Sequence, residues 1–71
     1  MTERYEFWTH LYTGDTWAVR LDERGLVSGC SGPLEPRDLR RTRLLRLAYD
    51  PEPTDWLNVH AAEFVVRDDV E

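Results

Sequence analysis

The sequence predicts an α+β domain: a small antiparallel β-meander of three to four strands with one C-terminal helix packed on one face. Three observations carry that expectation. The stretch Tyr5–Leu21 is dense in aromatic and β-branched residues and is interrupted by Gly14-Asp15, a hairpin signal. A second turn signal, Asp22-Glu23-Arg24-Gly25, follows within one strand length. Only near the end of the chain, from Asp55 to Phe64, does the apolar spacing take a helical period.

With Gly14-Asp15 as a two-residue turn, Thr13 pairs with Thr16. Tyr12 then lies opposite Trp17, His10 opposite Val19 and Trp8 opposite Leu21. Side chains alternate along a strand, so these six share one face, which reads as the core rather than as a binding platform. A one-residue slip would disperse them. Asp22–Gly25 suits a type I turn closed by a left-handed glycine, and pairing Asp22 with Leu26 sets Leu21 beside Val27. The third strand is weakened by Gly29 and ends near Ser31; its glycines could leave room for Trp17 to lie across the sheet.

The middle, residues 32–53, is less regular. Pro36 at a first helical position suits a short helix over Pro36–Arg41. Its continuation to Leu47 scatters the leucines round the wheel, so 43–49 is expected extended, with Leu45, Leu47 and Tyr49 on one face. Asp50-Pro51-Glu52-Pro53 is punctuation. Thr54 is the expected cap of a helix over Asp55–Glu63, whose Trp56, Leu57, His60, Ala61 and Phe64 span about 140° of the wheel. Phe64–Arg67 reads as a short edge strand before an acidic tail of Asp68, Asp69 and Glu71.

Composition narrows the function. At 71 residues the chain is a single domain, 1–71, near the lower limit for folding alone. A core of this size supplies roughly 3–5 kcal/mol. Cys30 is the only cysteine, which rules out an internal disulfide and suits a reducing compartment. Two histidines and one cysteine in no spaced cluster give no metal motif, and there is no phosphate loop, so no metal or other cofactor is expected. The start MTERYEF lacks the features of a signal peptide, and no apolar run reaches the roughly 18 residues of a membrane helix, so a cytoplasmic location is expected. The absence of Lys, Ile and Gln, with every basic residue an Arg, points to a high-GC bacterial genome or one of its phages.

Three constellations could carry function. His10 and His60 fall on the apolar faces of sheet and helix; brought together they could form a pH switch or an acid–base pair, but a catalytic pair also needs an orienting carboxylate and a nucleophile. The bland reading, two structural histidines at the rim of a small core, is preferred, and no enzyme is expected. Arg37, Arg40, Arg41, Arg43 and Arg46 form a basic patch that meets only Glu35 and Asp38 locally, while the rest of the chain holds four arginines and twelve acids. A net charge of −5 disfavours nucleic acid and favours arginines paired within the chain or with a protein. Finally, Tyr5, Phe7, Leu11, Ala18, Leu26 and Cys30 fall on the sheet face opposite the aromatic cluster. Either the leucine-rich middle folds over that face, or Tyr5, Phe7, Leu11, Ala18 and Leu26 form an interface.

The sequence therefore points first to a small binding or regulatory module acting through protein–protein contact, as a homodimer. A nucleic-acid-associated protein using Arg37–Arg46 is the alternative, and an enzyme or pH switch built on His10 and His60 comes third.

Overall fold

A computed structural model describes residues 3–70. Its strands β1 (Arg4–His10), β2 (Thr16–Leu21) and β3 (Val27–Ser31) are followed by two 3-10 turns, Pro36–Asp38 and Arg41–Arg46. Helix α1 (Thr54–Val59), a third 3-10 turn (Ala61–Glu63) and strand β4 (Phe64–Val66) complete the chain. The sheet is antiparallel throughout, in the order β3-β2-β1-β4. This is the expected α+β meander, with β4 added beside the first strand. No helix among the described residues is long and apolar enough to cross a membrane.

The register of the first hairpin differs from the expected one by four residues. Trp8 pairs with Trp17 and Thr9 with Thr16, so Leu11–Asp15 is a loop instead of a two-residue turn. Its closure uses His10 N–H donating to the Asp15 carbonyl (2.7 Å) and Gly14 N–H donating to the His10 carbonyl (2.9 Å), with Gly14 at φ +79°. An even shift leaves every side chain on its original face. A period-two pattern therefore does not distinguish the two registers. Trp8, His10, Trp17, Val19 and Leu21 keep their shared face, but Tyr12 leaves the core for the loop, where it is 78 % exposed.

The second turn follows expectation. Gly25 is left-handed (φ +81°), Asp22 N–H donates to the Leu26 carbonyl, and the Asp22 carboxylate accepts from Arg24 and Leu26 N–H. Beyond it lies a β-bulge: Leu21 pairs with Val27 but Arg20 with Gly29, leaving Ser28 extra. Arg20 stitches the bulge, its Nε donating to Ser28 Oγ and its Nη2 to the Ser28 carbonyl, while Ser28 Oγ–H donates to the Arg20 carbonyl. The bulge inverts the parity of β3. Cys30, expected on the far face, is buried opposite Val19 on the near one.

Each sheet face carries a core. On one, Leu57 of α1 is fully buried among Trp8, Val19, Leu21, Val27 and Cys30, with Trp17 and Phe64 at the margin. Gly32 packs against the Trp17 ring, where an added Cβ would come within 3.0 Å. On the other face Phe7 and Ala18 are covered by Leu44 and Val70, flanked by Tyr5, Leu34, Leu39, Leu47 and Tyr49.

The covering segment corrects the expectation of an extended 43–49. Residues 41–46 form a 3-10 helix, whose period of three sets Leu44 and Leu47 toward the sheet and sends Leu45 outward. Tyr49 O–H donates to the Leu44 carbonyl at 2.6 Å and its ring meets Tyr5 edge-on. Burial first, and then the neighbouring Tyr5, push the Tyr49 phenol up to about 12. The expected helix over Pro36–Arg41 is only the turn Pro36–Asp38.

The expected acidic tail is docked. Val70 is buried, Arg41 Nε donates to its carbonyl, and Arg67 holds Asp69 through two hydrogen bonds. That pair keeps the Asp69 carboxyl down at about 2. Glu71 lies outside the described residues.

Candidate functional site

The most chemically loaded region lies where α1 and the 3-10 turn after it meet β1. Helix α1 is shorter than expected. Pro53 takes the cap position, Thr54 is the first helical residue with its hydroxyl donating to the Pro51 carbonyl, and the helix ends at Val59. The chain tightens into Ala61–Glu63, which carries the Glu63 carboxylate between the two histidines.

His10 is buried and both its nitrogens are committed. Thr13 N–H donates to Nδ1 (3.3 Å), so Nδ1 is the acceptor and Nε2–H donates to Glu63 Oε1 at 2.9 Å. The Thr13 hydroxyl also meets Nδ1, at 3.2 Å. On the other side His60 Nδ1–H donates to Glu63 Oε2 at 2.9 Å, with the ring partly exposed. The hydrogen bonds from His60 and then from His10 hold the Glu63 carboxyl below its ordinary value. Trp56 lies 5.5 Å from both imidazoles, Phe64 is 4.8 Å from His10, and Tyr12 stands edge-on to His10 at 5.5 Å.

The two histidines are thus brought together, as their faces suggested, and the missing carboxylate is Glu63. The sequence held one signal for it, the spacing of His60 and Glu63 three residues apart on one helical side. Nothing local linked Glu63 to His10.

The arrangement resembles a hydroxyl–imidazole–carboxylate chain, Thr13–His10–Glu63. Acyl transfer would also need donors for a developing oxyanion. Three of the nearby backbone donors are spent: Gly14 N–H on the His10 carbonyl, Asp15 N–H on Thr13 Oγ1, Leu11 N–H on the Glu63 carbonyl. The chain of bonds therefore pins the Leu11–Asp15 loop and the end of α1 to β1. No group of three metal-ligating side chains stands together among the described residues. The Cys30 thiol is buried and pushed up by burial and then by Asp50, the opposite of an activated nucleophile.

The expected interface set is dispersed. Phe7 and Ala18 are buried beneath the chain's own middle segment and Tyr5 is half-buried, while Leu11 and Leu26 are exposed in separate turns. The open face is closed internally because Leu44 reaches it.

The basic segment is dispersed too. Arg37 pairs with Glu35 at 2.9 Å, Arg43 with Asp38 at 3.1 Å, and Arg41 donates to the Val70 and Asp68 carbonyls. Arg40 lies exposed between the two 3-10 turns and Arg46 exposed at the end of the second.

The sheet edges are unequal, which no sequence signal showed. On β3 the Asn58 side chain accepts from Val27 N–H (2.9 Å) and donates to the Val27 carbonyl (3.1 Å). Cys30 and Asp50 exchange both backbone hydrogen bonds. The outward groups of that edge are therefore satisfied. On β4 the bonds from Arg67 N–H to the Phe7 carbonyl and from Leu11 N–H to the Glu63 carbonyl fix the pattern: Thr9 and Val65 face one another, and Phe64 and Val66 point outward. Phe64 N–H turns back to the Ala61 carbonyl. The Val66 N–H and the carbonyls of Phe64 and Val66 have no partner among the described residues, and Val65 and Val66 are each 44 % exposed.

No protein-family model, curated protein or solved structure matches this chain.

Proposed function

We propose that this chain is a protein-binding module that self-associates through the outer edge of β4. The observation that carries the reading is the contrast between a β3 edge closed by Asn58 and Asp50 and a β4 edge left open. An open edge pairs readily with another strand, and β4 carries no Lys or Pro to discourage it. Antiparallel pairing about Val65 sets Val66 N–H against the Phe64 carbonyl of the second copy. Phe64 links the edge to Trp56 and through His10 to Tyr12, aromatic groups of the kind that dominate binding energy. The histidine–carboxylate bonds hold those rings in place. A lone buried thiol suits a reducing compartment, so we place the module in the cytoplasm.

Light scattering at micromolar concentration tests the reading and should return twice the 8.4 kDa chain mass. Val66→Pro removes the outward N–H without touching a bond to β1, and Val65→Lys adds charge to the edge; both should give folded monomers by circular dichroism. A monomeric parent, or a dimer that survives both substitutions, overturns it.

A further inference from the structure

Strand β1 is longer than its neighbour β4. Their pairing ends at Trp8 and Val66, and Arg67 N–H makes the last bond, to the Phe7 carbonyl, before the chain diverges. Odd residues of β1 direct their backbone groups toward β4. Beyond that point Phe7 N–H, Tyr5 N–H and the Tyr5 carbonyl therefore face away from β2 with no partner among the described residues. They border a cleft of about 300 Å³ whose other walls include Arg4, Arg41, Arg67 and Asp68.

Two of these guanidinium groups have capacity left. Among the described residues Arg4 has no ion pair or side-chain hydrogen bond, and Arg41 uses Nε and Nη2 on the chain's own carbonyls but not Nη1. Arg67 is spent on Asp69 and Thr9 and serves as a wall. Glu6 also borders the cleft, its carboxylate accepting from Trp8 Nε1.

We infer that this cleft takes the carboxylate-bearing end of an extended peptide, which pairs with β1 at Tyr5 and Phe7 while its terminal carboxylate meets Arg4 and Arg41. The alternation of backbone donors and acceptor selects the ligand class, because a peptide supplies both the carbonyl for Phe7 N–H and the N–H for the Tyr5 carbonyl. A free phosphate lacks the strand spacing of acceptor and donor that Phe7 N–H and the Tyr5 carbonyl require, and its second charge would be opposed by Asp68 and Glu6. The volume is at the lower end for a ligand site and suits a few residues of chain. The inference goes beyond self-association, and its readout at Tyr5 and Phe7 does not depend on it.

The test is an amide-resolved NMR titration of the full chain with acetyl-alanyl-alanyl-valine, its C-terminal amide, and acetate. The free acid should shift the Tyr5 and Phe7 amides saturably, and the amide should bind about tenfold or more weakly. Arg4→Gln, at an exposed position, should weaken the free acid by a similar factor while leaving the fold intact. The inference is overturned if the free acid gives no saturable shift at millimolar concentration. It is equally overturned if the amide binds as well as the acid, or if acetate alone reproduces the peptide's shifts at Tyr5 and Phe7.

Discussion

Leu44 and Leu45 are neighbours of the same chemical type, and the fold assigns them opposite environments: 6 % and 77 % exposed. In an extended segment Leu45 would face inward with Leu47 and Tyr49, whereas the 3-10 turn sends Leu44 inward to Phe7, Ala18 and Val70. Replacing each with alanine separates the two geometries. Leu→Ala in a core costs about 2–5 kcal/mol, and the lower half applies to a short covering segment that can settle into the space, so we expect about 2–3 kcal/mol for Leu44→Ala. Against a total of roughly 3–5 kcal/mol for so small a domain, that removes about half the stability or more. The melting temperature should fall by roughly 10–20 °C, given about 4–8 °C per kcal/mol at this size. Leu45→Ala should stay within about 0.5 kcal/mol of the parent. Urea unfolding followed by tryptophan fluorescence, with circular dichroism as a second probe, measures both. A Leu45→Ala cost equal to or above that of Leu44→Ala would refute the 3-10 geometry and restore the extended segment.

Two further predictions concern the β3 edge and the histidine cluster. Asn58→Ala deletes both bonds to the Val27 backbone and should cost about 1–3 kcal/mol, with hydrogen exchange at the Val27 amide accelerated more than at Arg20 in the centre of the sheet. Unchanged protection at Val27 would show that Asn58 does not close that edge. The Glu63 carboxyl is held below its ordinary 4.5, so its contribution is present above that value and is lost as pH falls through the lowered one. The melting temperature of the parent should therefore drop on acidification below about pH 4.5, and Glu63→Gln should show a shallower drop. Asp69, held at about 2 by Arg67, adds an acid-labile part at still lower pH that the Glu63 variant retains. Parallel melting-temperature profiles for parent and Glu63→Gln would contradict the assignment.

By itself the sequence determined the class of the fold and the division of its residues between faces. Alternation in β1 and β2 assigned Trp8, His10, Trp17, Val19 and Leu21 to one face and Phe7 and Ala18 to the other, because a period-two pattern survives any even shift of register. Gly25 closed the second turn where expected, since few other residues tolerate its backbone angle. The approach of the two histidines was legible from their places on apolar faces. Which even register forms was not, because it depends on bonds to residues more than fifty positions away: Leu11 N–H and His10 Nε2–H are both taken by Glu63. The bulge at Ser28 was equally hidden, since one inserted residue inverts a strand without changing its composition, and Arg20 across the sheet is what holds it. Cover for the second face was decided by a 3-10 period that sequence windows tuned to helices and strands do not register. The unequal edges were decided the same way. Backbone groups look identical in every sequence, and only the folded chain shows which of them Asn58 and Asp50 have satisfied and which β1 and β4 still present.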